Sequence, residues 1–132
     1  MERVYIGFIG IFLILVSCTQ TDHKSEAPVE KGLMVQGATP AEFVGGESLF
    51  RSHCEQCHGA KGAGTDRGPS FISPIYHPDH HGDDSFILAA RNGSKAHHWN
   101  FGDMPPIPNV KDEEVRQIVQ YVRWLQRSNK VY

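Results

Sequence analysis

The 132-residue sequence predicts an all-α domain of three main helices and long loops, and three observations predict it. Apolar residues recur at helical steps in three stretches. No stretch sustains the apolar–polar alternation of a strand. The connections between the helical stretches are long and rich in Gly, Pro, Asp and His, which in so small a domain points to a centre filled by something other than protein. A chain of this length has room for one small globular unit, and such a unit is marginal without a staple.

Residues 1–17 read as an export signal. Arg3 precedes an apolar run from Val4 to Val16, shorter than the roughly 20 residues that span a bilayer core. Leu15-Val16-Ser17-Cys18 closes the run with a small residue before cysteine. This resembles the lipobox of bacterial lipoproteins, which implies that Cys18 becomes the lipidated N-terminus of the mature protein. The alternative is a signal peptide cut elsewhere, with Cys18 lost; the lipoprotein reading also accounts for the odd cysteine among three. Residues 18–43 are mostly Thr, Gln, Asp, Lys, Glu, Ala, Pro and Gly and read as a flexible tether. A coil of about 25 residues reaches roughly 25–30 Å.

The folded unit is expected over residues 44–132. Glu47 to Arg51 form a short helical stretch running into Cys54. A second helix is expected from Asp84 to Asn92, with Phe86, Ile87 and Ala90 on one face and Gly93 as the C-terminal stop. The third runs from Asp112 to Arg127, where Val115, Ile118, Val119, Val122 and Leu125 recur at three- and four-residue steps. Acids fill its first turn, and Arg123 and Arg127 lie near its last, complementing the helix dipole. From Val44 onward ten Lys/Arg balance ten Asp/Glu with no basic run, so nucleic acid is excluded as a partner.

Cys54-Glu55-Gln56-Cys57-His58 is a C-x-x-C-H motif, the signature of c-type haem attachment. Two cysteines three apart on a helical turn can each add to one haem vinyl group, and the next histidine is then carried to the iron. Covalent attachment keeps the cofactor in an exported protein and lets a small domain hold a large group. A zinc ribbon would need a second ligand pair, and the remaining cysteine is Cys18. A thioredoxin-like motif would need flanking strands, which the pattern lacks.

From Gly45 to Gln126 the sequence resembles the small single-haem cytochromes c. Gly46 and Phe50 are similar to the glycine and aromatic of that family's first helix, and Ile118 and Tyr121 to the apolar-x-x-aromatic pair of its last. Gly59, Gly62 and Gly64, then Gly68-Pro69, resemble its haem-edge loop. Gly102-Asp103-Met104-Pro105-Pro106 resembles its methionine-ligand loop. The resemblance implies one covalent haem c, crossing first and last helices, a Pro69 carbonyl that orients His58, and Met104 as the second iron ligand. A methionine sulfur raises the potential.

The sequence departs from that family's pattern in placing five histidines in two loops: His77, His80 and His81, then His97 and His98. Loop histidines are mostly solvated; the alternative is a second metal site, for which imidazole suits copper or zinc. Trp99 is expected at the haem edge or on a propionate. The function expected is one-electron transfer between redox proteins outside the cytoplasm, on a membrane held by the lipid anchor, with no catalysis because both axial positions are filled. Three alternatives stay open. They are a haem subunit of a larger oxidase or reductase, a copper-handling redox module using the histidine loops, and a gas-binding or peroxide-reducing protein with Met104 off the iron.

Overall fold

The computed structural model describes residues 37–132; the export signal, Cys18 and most of the tether lie outside the described residues. Four α-helices carry the described chain: α1 (Val44–His53), α2 (Glu55–His58), α3 (Asp83–Asn92) and α4 (Asp112–Ser128). Short 3-10 turns at Ala41–Phe43, Ala60–Gly62 and Pro74–Tyr76 punctuate the loops. No strand forms among the described residues, and an isolated antiparallel bridge joins Ser94 to Met104. The all-α prediction holds. No helix among the described residues is long and apolar enough to cross a membrane.

The first and last helices cross closely, as the resemblance implied. Gly46 is the reason: a Cβ there would collide with the Gln117 carbonyl oxygen and meet Tyr121 Cβ at 3.0 Å. At this crossing Phe50, Phe71, Ile118, Tyr121, Val122 and Leu125 form the main core. The Phe50 ring packs tilted on Tyr121 at 5.6 Å and edge-on to Phe71 at 6.1 Å. Full burial of each such side chain contributes about 1.5–3 kcal/mol. Phe43, just ahead of α1, stacks on Trp124 at 5.7 Å, so packing begins before Val44.

The α4 periodicity places Val115, Ile118, Val119, Val122 and Leu125 inside, and the helix starts where expected. Glu114 reaches back to accept the Lys111 backbone N–H at 2.8 Å, and Asp112 pairs with Arg91 of α3. A second apolar cluster of Ile87, Ala90, Val115 and Val119 seats α3 on α4. Helix α3 begins at Asp83, one residue earlier than expected, and ends at Gly93 (φ +76°). Only glycine suits that turn, because a Cβ there would meet the Met104 carbonyl oxygen at 2.5 Å.

Arg123 does more than its place near a helix end suggests. Its side chain is 6% exposed and its guanidinium donates to Asp83 Oδ1 (2.8 Å), the Tyr76 carbonyl (2.7 Å), Gln126 Oε1 (2.8 Å) and the His81 carbonyl (2.5 Å). It also lies 5.0 Å from the centre of the Phe86 ring. Gln126, fully buried, extends the clamp by donating to the Phe71 carbonyl at 2.9 Å. One side chain thus ties α4 to the start of α3 and to the loop over residues 76–81.

Candidate functional site

A cleft opens between the α1–α2 turn and the loops on either side of α3, enclosing about 1030 Å³ of empty space, part of it open to solvent. Its walls bring together Cys54, His58, Pro69, Met104 and Trp99, all residues that the sequence singles out. Cys57 lies in α2 between Cys54 and His58 and is half-buried.

The C-x-x-C-H segment is a tight helical turn. The His58 N–H donates to the Cys54 carbonyl at 2.9 Å, and the Cys54 N–H to Phe50 at 2.8 Å, so the turn grows directly out of α1. A helix this short leaves its last carbonyls without partners. The next loop supplies them: Thr65 Oγ1 donates to the Cys57 carbonyl at 2.5 Å, Arg67 Nη2 to Gln56 at 2.5 Å, and the Gly64 N–H to His58 at 2.6 Å. Thr65 and Arg67 were not singled out from the sequence. Their only signal there is a run of polar donors after the motif.

His58 is buried, and its Nδ1 bonds the Pro69 carbonyl at 2.9 Å, as the resemblance implied. A carbonyl can only accept, so Nδ1 carries the proton and Nε2 keeps the lone pair. Burial pushes the imidazole below its ordinary pKa, opposed by the Pro69 bond, and the net shift favours the neutral ring. Phe71 stacks on it at 4.2 Å. Cys54 is a free thiol pushed up to about 12, first by burial and then by Cys57.

Met104 stands on another wall, at the base of a loop that leaves α3. Its N–H and C=O exchange bonds with Ser94 at 2.8 and 2.9 Å. Lys95 Nζ pairs with Asp103 at 2.6 Å, and the Ala96 N–H donates to the same carboxylate at 3.0 Å. The loop is therefore closed at its base, with His97, His98 and Trp99 beyond the closure. Trp99 stacks on Tyr76 at 5.8 Å, and burial pushes the Tyr76 phenol above its usual range.

The two histidine loops meet. His80 Nε2 lies 3.1 Å from His98 Nε2, and His81 Nε2 lies 3.4 Å from His97 Nε2. One donor nitrogen from each of His80, His81 and His98 falls within 4.8 Å of the others. His98 is held below the usual imidazole range by desolvation and then by its neighbours His97, His81 and His80. His77 is not in this group: its Nδ1 accepts the Asp79 N–H at 3.2 Å, and its ring sits edge-on to Tyr132 at 5.3 Å.

The family model described as Cytochrome c matches residues 43–126. Among solved structures, cytochrome cL from the marine methylotrophic bacterium Methylophaga aminisulfidivorans is similar, with a TM-score of 0.51 and 23% identity. The match covers 69% of this chain and 60% of that one, so this chain spans less than two thirds of that structure's length. At that identity the likeness carries the fold alone.

Proposed function

This chain belongs to the cytochrome c family, and on that premise we propose that it carries one electron at a time on a single covalent haem, between redox proteins outside the cytoplasm. The observation that carries the reading is the convergence of Cys54, His58 and Met104 on one cleft, with His58 already fixed by Pro69. The donor set suits the group: two free thiols on one helical turn, a neutral imidazole with its Nε2 lone pair available, and a half-buried thioether. When bound, haem supplies a reversible one-electron iron couple.

Each residue then has a distinct task. Cys54 and Cys57 hold the macrocycle as thioethers, which fastens it to α2 against loss outside the cell. Pro69 keeps His58 in one tautomer and one orientation, and raises its basicity. Met104 offers a soft, neutral sulfur that favours the reduced state. Phe71 covers His58 and excludes water beside it. With His58 and Met104 both ligating, the residues leave no position for a substrate, which supports an electron carrier rather than an enzyme. Cys18 is proposed as the lipidated residue that holds the domain at a membrane.

Attachment is the direct test. Denatured protein run on a gel should keep its haem stain, and the variant with Cys54→Ala and Cys57→Ala should lose it. Haem that extracts into acid acetone from the wild type would refute covalent attachment.

A further inference from the structure

His80, His97 and His98 are exposed and His81 half-buried, yet their four imidazoles are gathered face to face. His81 Nδ1 bonds the Ile75 carbonyl at 2.8 Å, and His97 Nδ1 bonds the Lys95 carbonyl at 2.7 Å. A carbonyl only accepts, so each ring places a proton on Nδ1 and turns Nε2 away from that bond. Those two Nε2 atoms face each other at 3.4 Å. A cation between them, a shared proton or a metal ion, accounts for that approach.

Two of the spacings match a metal ion. Zinc binds imidazole nitrogen at about 2.0–2.1 Å, and tetrahedral angles then put two such nitrogens roughly 3.3 Å apart. The observed separations are 3.4 Å for His81–His97 and 3.1 Å for His80–His98; His80, His81 and His98 form the compact group, and His97 adjoins it through His81. The Nδ1–carbonyl bonds of His81 and His97 are also the outer contacts that characteristically orient metal-binding histidines.

Both loops are pinned before anything binds. Arg123 holds the His81 carbonyl, and the His80 and His81 N–H groups each donate to the His77 carbonyl at 2.9 Å. The Ser94–Met104 bridge and the Lys95–Asp103 pair close the other loop. The nearby carboxylates are engaged elsewhere, Asp83 by Arg123, Asp103 by Lys95 and Asp79 beside His77. The donor set is therefore all nitrogen, which suits copper or zinc and not calcium or magnesium.

We propose that His80, His81, His97 and His98 bind one transition-metal ion at the rim of the cleft, copper ahead of zinc by the usual order of divalent affinities. His81, His97 and His98 line the cleft that Met104 also lines, so the ion sits beside the haem site. The proposal stands on the four rings and does not rest on the identity of the group in the cleft.

The test uses full-length, haem-loaded protein in detergent, stripped by chelator, then titrated separately with Cu²⁺ and Zn²⁺ and desalted before elemental analysis. Wild type should retain one ion per chain, and bound Cu²⁺ should show nitrogen hyperfine structure in its electron paramagnetic resonance spectrum. Replacing His97 and His98 together by Ala should weaken binding by about 100-fold or more, since loss of outer contacts alone costs roughly 10–100-fold. His77→Ala, outside the cluster, should bind as wild type does. Should the double variant lose its haem spectrum, His80→Ala replaces it, because the His80 ring is exposed and meets His81 and His98 of the same cluster. Retention of either ion by wild type and its loss in the variant supports the site and identifies the metal. Equal retention by wild type and variant, or no retention of either ion, overturns it.

Discussion

Met104 sits where backbone and side chain serve different ends. Its N–H and C=O close a loop against Ser94, and that bridge survives any change of side chain. Met104 also lines the cleft, where its sulfur is the proposed ligand. Met104→Ala should therefore leave the loop in place while removing the ligand, and three readouts should move together. The long-wavelength methionine–iron band of the oxidised spectrum should disappear, the reduction potential should fall, and carbon monoxide should bind the reduced iron. An unchanged oxidised spectrum and potential would make another residue the ligand. His97 and His98, in the loop closed by Met104, would then be first to examine.

At the scale of elements, Arg123 separates what a periodic pattern can convey from what it cannot. The α4 spacing revealed Val115, Ile118, Val119, Val122 and Leu125 on the buried face, because burial of carbon follows helical geometry, while Tyr121 entered through the resemblance. It could not reveal a buried arginine, since the partners that stabilise it are carbonyls of Tyr76 and His81, far away in sequence. The C-x-x-C-H turn was legible because it rests on local spacing, whereas the Pro69 bond and the Met104 loop came only through the family resemblance. The Thr65 and Arg67 caps, the Tyr76–Trp99 stack and the exclusion of His77 from the cluster depend on how loops fold back, which spacing does not encode. The clamp has a measurable consequence. Arg123→Ala should destabilise the haem-loaded protein by about 2–6 kcal/mol in a urea melt, because the Tyr76 and His81 carbonyls lose their donor at roughly 1–3 kcal/mol each. Asp83→Ala should cost under about 1 kcal/mol, because the Asp83 side chain is 66% exposed and its ion pair is screened. Equal losses in the two variants would mean that the ion pair, and not the grip on backbone carbonyls, is what Arg123 contributes.

For the whole molecule, anchoring and folding are proposed to be separate. Packing in the described residues begins at the Ala41–Phe43 turn, where Phe43 stacks on Trp124, and every residue of the cleft lies from His53 onward. No described helix is long and apolar enough to cross a bilayer, and attachment is proposed at Cys18. The proposed tether between Cys18 and the domain, about 25 residues long, would reach roughly 25–30 Å as a coil. That is enough to let the cleft turn toward a partner at the membrane surface. Because the core and the cleft are built from Phe43 onward among the described residues, Cys18→Ser should release the protein into the soluble exported fraction with its haem and spectrum unchanged. A single acyl chain holds a protein only marginally and stable anchoring takes more than one, so the lipid-free variant should leave the membrane without salt. Fractionation followed by haem staining measures this directly. A variant that stays in the membrane pellet after a high-salt wash would show that an uncleaved apolar segment or a tightly bound partner holds the domain there, and the lipid-anchor proposal would fall while the haem site stood.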